Sequence, residues 1–70
     1  MTTTIEVTVN GQPRQVPPGT SVGELIAMVT SLPSGIAAAV NGEILPRSAW
    51  TATLVGDGDQ VEVVTAVQGG

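Results

Sequence analysis

The stretch Thr4-Ile5-Glu6-Val7-Thr8-Val9-Asn10-Gly11 decides the reading of the fold. Ile5, Val7 and Val9 alternate with Thr4, Glu6 and Thr8, the period of a half-buried strand built from β-branched residues. Asn10-Gly11 follows at once. Both residues tolerate the positive φ of a type I′ turn, so the chain is expected to fold back as a tight hairpin. The returning strand runs over about Gln12 to Val16, and Pro13, which has no N–H to give to a ladder, implies an edge position or a bulge.

Pro17-Pro18-Gly19 ends that hairpin, and Thr20-Ser21 opens a helix. Ser21 with Glu24 fits a capping box, with Thr20 as the other candidate cap. Val22, Leu25, Ile26, Val29 and Leu32 recur at i, i+3, i+4, i+7 spacing and give one apolar stripe to bury. Gly23 weakens the helix by up to about 1 kcal/mol against alanine, so packing of the stripe has to hold the element. Leu32-Pro33-Ser34-Gly35 stops it.

Ile36-Ala37-Ala38-Ala39-Val40 is a continuous apolar run bounded by Gly35 and Asn41-Gly42, the pattern of a strand covered on both faces. Its three alanines imply close approach of a neighbour, most simply the helix. Glu43-Ile44-Leu45 reads as a short return strand cut off by Pro46. Between Pro46 and Leu54 a turn or single helical turn is expected to carry Trp50 to the edge of the core. Gly56-Asp57-Gly58-Asp59 is a tight turn; it lacks the further spaced oxygen ligands and closing glutamate of an EF-hand. The last strand spans Gln60 to Val67, with Val61 and Val63 inward and Glu62 outward. The same alternation puts Val64 outside beside Glu62, as an isolated surface aliphatic or as part of a docking patch.

This order describes an α+β domain with one helix across a mixed sheet. A β-grasp roll satisfies it, with the first and last strands parallel neighbours at the centre. The expected organisation is a domain over residues 1–66 and a flexible tail over 67–70. Seventy residues bury only about 60% of the surface of the unfolded chain. With no cysteine or histidine, and Trp50 the sole aromatic, the core must be aliphatic packing.

Composition also excludes chemistry. Without histidine or cysteine there is no Ser-His-Asp or Cys-His arrangement and no ordinary zinc site, and no Walker-type phosphate loop is present. Six carboxylates (Glu6, Glu24, Glu43, Asp57, Asp59, Glu62) face only Arg14 and Arg47, for a net charge of −4. Such a balance gives no basic patch for nucleic acid, and favours either plain solubility or a partner with a basic docking surface. No apolar run approaches the roughly 20 residues of a membrane span, and Met1-Thr2-Thr3-Thr4 does not resemble a signal peptide; a cytoplasmic monomer is expected. The chain reads as something an enzyme acts on, with no catalytic residue, metal or bound cofactor of its own.

What remains is Val67-Gln68-Gly69-Gly70. Gly-Gly lacks both β-carbons and can thread a narrow channel, presenting the Gly70 carboxylate for chemistry; equally, a bare Gly-Gly can be a frayed end.

Val40-Asn41-Gly42-Glu43, Pro46-Arg47-Ser48 with Trp50, Asp57-Gly58-Asp59, Val61-Glu62 and Ala66-Val67-Gln68-Gly69-Gly70 together resemble the ThiS family of sulfur carriers in thiamine biosynthesis. Asn10-Gly11, Pro18-Gly19-Thr20 and Glu24-Leu25 share the resemblance, which spans nearly the whole chain. The resemblance implies a ubiquitin-like β-grasp fold and a covalent site at Gly70. There a ThiF-like enzyme would use ATP to form an acyl-adenylate, and a persulfide sulfur, supplied from cysteine by a desulfurase, would replace AMP. The resulting thiocarboxylate would pass sulfur to the thiazole synthase, ThiG. Gly69 would give clearance, and Gln68 and Val67 would guide the tail; Glu62 and Val64, placed outside by the alternation of the last strand, are the candidate docking residues. Arg47 and Trp50 belong to the family pattern without a chemical role; a surface ion pair and a core-edge anchor are the expected readings. The competing readings are a carrier for molybdopterin synthesis, a conjugated protein modifier, and an interaction module with an inert tail.

Overall fold

The computed structural model describes residues 3–30 and 35–65. Expectations for Leu32-Pro33-Ser34 and for the tail from Ala66 to Gly70 fall outside the described residues. The elements are β1 (Ile5–Val9), β2 (Gln12–Val16), α1 (Val22–Val29), β3 (Ile36–Val40), β4 (Glu43–Leu45), a 3-10 turn (Arg47–Ala49) and β5 (Gln60–Thr65).

Alternation in β1 does what it predicts: Val7 and Val9 are buried and Glu6 is exposed. Asn10 and Gly11 both take positive φ (52° and 82°), so the two-residue turn pairs Val9 with Gln12 and Ile5 with Val16. Pro13 lies in β2, and β2 is an edge strand of the five-stranded order β2-β1-β5-β3-β4. β1 and β5 are parallel neighbours in the middle, and β3 runs antiparallel to both β5 and β4. This is the expected β-grasp arrangement.

Ser21 is the helix cap. Its hydroxyl oxygen accepts from the Glu24 amide at 3.0 Å while the Glu24 carboxylate accepts from the Ser21 amide at 2.9 Å. Thr20 instead closes the preceding turn, donating from its hydroxyl to the Pro17 carbonyl. The next two amides of α1 are also satisfied, Val22 by the Thr53 carbonyl and Gly23 by the Trp50 carbonyl. The segment after β4 therefore carries the helix start. Val22, Leu25 and Ile26 are buried and Val29 packs at the margin, joining Val7, Val9, Val16, Ala38, Val55, Val61 and Val63 in one core. Trp50 closes that core at 7% exposure, and its indole N–H donates to the Leu45 carbonyl at 3.0 Å. The Arg47 guanidinium lies 5.4 Å above the Trp50 ring, so these two residues meet as a cation–π pair.

One expectation for β3 is corrected. The strand is covered on one face only: Ala38 is buried, Ala37 is exposed and Ala39 is half-buried. An all-apolar run gives no alternation from which to read an open face. With a single α-helix among the described residues, only the side of the sheet that it crosses is sheltered.

Candidate functional site

Two features of the fold bear on the sequence-derived site: the way β5 is held, and the open face of β3, β4 and β5. The parallel ladder between β1 and β5 holds only two residue pairs, Thr8 with Gln60 and Val9 with Val61. Side chains extend it at both ends. At the start, the Glu6 amide donates to Asp57 Oδ1 at 2.9 Å, and the Gly58 amide donates back to the Glu6 carbonyl at 2.7 Å. The Thr8 and Asn10 amides then donate to the Asp59 and Val61 carbonyls.

Beyond Val9, β1 has turned away into the hairpin, and the Asn10 side chain takes its place. Asn10 Nδ2 donates to the Val63 carbonyl at 3.0 Å and Asn10 Oδ1 accepts from the Val63 amide at 2.8 Å. A carboxamide presents one donor and one acceptor side by side, as a peptide group does, so it substitutes for a strand residue. Asn41 acts similarly at the other hairpin, accepting from the Gln60 amide and donating to Asp59 Oδ1.

Asp59 Oδ2 also accepts from the Gly56 amide at 2.7 Å. The Asp-Gly-Asp turn thus uses its carboxylates to tie down backbone and a neighbouring amide. No group of three metal-ligating residues occurs among the described residues.

So held, β5 presents Val61 and Val63 to the core and Glu62 and Val64 to the outside. Val64 is 58% exposed. Register places Ala37 opposite Val64, Ala39 opposite Glu62 and Ile44 opposite Ala39. Ile44 is 82% exposed. These side chains, with Ala38 at the floor, line a shallow groove of about 130 Å³. The small alanines make the groove; Ile44 and Val64 form its apolar walls and Glu62 adds one charge. Both large aliphatics are exposed on this one face and neither belongs to the core.

Val64 and Glu62, the candidate docking residues read from the sequence, therefore stand together. The candidate tail residues Val67, Gln68, Gly69 and Gly70 lie outside the described residues. Sequence reasoning missed Ile44, Ala37 and Ala39 as members of the same face. The signal was present in part: the two-residue Asn41-Gly42 turn fixes Ala39 opposite Ile44, but the direction of both depends on Ala38 pointing inward. Among the described residues no helix is long and apolar enough to cross a membrane.

The model of the ThiS family matches residues 7–70. The sulfur carrier protein ThiS of Escherichia coli (strain K12) is 33% identical over 66 residues, covering 94% of this chain and 100% of that protein. The crystal structure of the thiamine biosynthesis protein ThiS from Geobacter metallireducens superposes with a TM-score of 0.80 at 38% identity, over 94% of this chain and 100% of that one. A solution NMR structure of a thiamine biosynthesis protein from the same organism gives a TM-score of 0.76 at 36% identity, over 94% of this chain and 88% of that one.

Proposed function

Because the chain belongs to the ThiS family, we propose that it is a sulfur carrier of thiamine biosynthesis, acted on by enzymes and not itself an enzyme. The observation that carries this reading is the length of the match. The family match runs through Gly69 and Gly70, and the alignment with a sulfur carrier protein covers the whole of that relative. The similar solved structures are of thiamine biosynthesis proteins, which favours this pathway over molybdopterin synthesis.

In the proposed chemistry the Gly70 carboxylate attacks the α-phosphorus of ATP in a ThiF-like partner, and pyrophosphate leaves. The acyl-adenylate so formed is an electrophile that the carboxylate is not. A persulfide sulfur derived from cysteine by a desulfurase attacks the acyl carbon and AMP leaves. A thiol then reduces the S–S bond, leaving a thiocarboxylate on Gly70 for delivery to the thiazole synthase, ThiG. Gly69 gives clearance in the partner's channel, and Gln68 and Val67 guide a tail that follows the domain of residues 1–66. ATP is consumed by the partner, so the carrier needs no cofactor of its own, and the cytoplasm, where ATP and cysteine are available, is the proposed site of action.

The face of Val64, Ile44 and Glu62 is the proposed docking surface. Its apolar centre and the chain's net charge of −4 suit a partner with an apolar patch and a basic rim.

An intact mass spectrum tests the reading after incubation with ATP, an adenylating enzyme of the ThiF class and a sulfur source. The expected gain corresponds to one oxygen replaced by sulfur, located on Gly70 and absent when Gly70 is deleted. Sulfur loading that survives the deletion, or adducts joined through a lysine of another protein, would reject it.

A further inference from the structure

Asn10 holds β5 through a group that water can remove. Its carboxamide makes both hydrogen bonds to Val63, a residue 53 positions away, and among the described residues no strand pairs with Val63 on that side. Asn10 also precedes a glycine, the neighbour that least hinders attack of its own backbone nitrogen on the asparagine side chain. The turn is exposed, and the space beside the Gly11 α-carbon is open. We infer that Asn10 is a site of spontaneous deamidation, and that its conversion releases β5 at Val63.

In that reaction the deprotonated Gly11 nitrogen attacks Asn10 Cγ, the Cγ–Nδ2 bond breaks and ammonia leaves. Water opens the resulting succinimide at either carbonyl, giving aspartate or isoaspartate. No electron is gained or lost; the sum is amide plus water to acid plus ammonia.

Either product destroys the latch. Aspartate places a carboxylate oxygen against the Val63 carbonyl where Nδ2 had donated, two acceptors facing each other. Isoaspartate also lengthens the main chain at a turn that is only two residues long. The latch opposes its own loss, because both ends of the carboxamide are engaged while it is closed. Conversion then proceeds from the open hairpin and is irreversible.

Asn41, the other asparagine before a glycine, differs in its partners. Its Nδ2 donates to the side chain of Asp59 rather than to a strand carbonyl; its Oδ1 accepts from the Gln60 amide, a bond that a carboxylate oxygen can still accept, and the β5 backbone near it is already paired with β3 at Val40 and Val61. Its conversion does not unhook a strand. Both the Asn10-Gly11 step and the hydrogen bonds to Val63 are independent of sulfur carriage.

The test is to age the full chain at mildly alkaline pH, folded and in urea, and to locate conversion by peptide mapping. Amide hydrogen exchange is then read on the aged protein and on Asn10→Asp and Asn10→Gly, the latter keeping the positive φ without a carboxamide. The expected result is slower conversion of Asn10 in the folded chain than in urea. Val63 exchange is expected to rise roughly ten- to hundredfold in converted protein and in both variants, with the helix amide of Leu25 unchanged. Asn10 left intact in the folded chain after the urea sample has fully converted would overturn the inference. Val63 exchange unchanged in Asn10→Gly would overturn it too. If Asn10→Asp fails to fold, Asn10→Gly decides the latch and the aged protein decides the modification.

Discussion

Ala37 stands directly opposite Val64 across the antiparallel β3–β5 pair, and with only a methyl group on that side it leaves most of the Val64 side chain in water. One strand over, Ile44 opposes Ala39 in the same way. Small residues at the centre of the face and large ones beside them produce a groove with apolar walls.

If that face docks on an adenylating partner, Val64→Arg and Ile44→Ser each weaken the complex by roughly tenfold or more, since a central apolar contact carries a large share of binding. Neither side chain is in the core, so stability changes by no more than about 0.5 kcal/mol. Calorimetric binding alongside thermal melts separates the two. A loss of binding matched by a loss of melting temperature would show that the face serves the fold.

Glu62 stands beside Val64 on the outer face of β5 and pairs with Ala39, with no cation opposite it in the register. Glu62→Gln is expected to slow association a few-fold and to flatten its dependence on salt, leaving dissociation nearly unchanged. Stopped-flow association at two ionic strengths reads this; a changed dissociation rate with an unchanged salt slope would count against a steering role.

Trp50 combines burial with one hydrogen bond to the Leu45 carbonyl. Trp50→Phe keeps most of the ring volume and loses the bond, costing about 1 kcal/mol. Trp50→Ala costs about 3–5 kcal/mol. Against a total of roughly 4–10 kcal/mol for a domain of this length, that takes it to the edge of unfolding. Urea titrations followed by circular dichroism give both values, and in the wild type and variants that keep Trp50 its fluorescence reports on this corner alone, since it is the only aromatic residue.

Gly23 sits in the first turn of α1, where an added β-carbon would lie 3.6 Å from Trp50 Cβ and 3.7 Å from Thr51 Cγ2. Those are ordinary van der Waals distances, so Gly23→Ala gains helix propensity without a clash and stabilises by about 0.5–1 kcal/mol. A rise in melting temperature of roughly 2–8 °C is expected. A fall would mean that the helix start cannot approach the Trp50 segment with a methyl group between them.

Residues close together in sequence determined most of the elements by themselves. The alternation of Ile5, Val7 and Val9, the positive φ demanded at Asn10-Gly11, and the reciprocal bonds of Ser21 and Glu24 all act within a few positions, so their physics is complete in a short stretch. Even the outward direction of Glu62 and Val64 follows from the period of the last strand. Tertiary structure alone decided the rest. The all-apolar run of β3 has no period to betray its open face; that depended on which side of the sheet α1, the one α-helix among the described residues, crosses. Ile44 joined Val64 only when β4 and β5 flanked the same strand. Asp57 and Asn10, legible as turn residues, became extensions of a two-pair ladder because their side chains meet backbone more than fifty residues away. A donor and an acceptor on a side chain can be read from any sequence, but the partner they find depends on which strands the fold brings together.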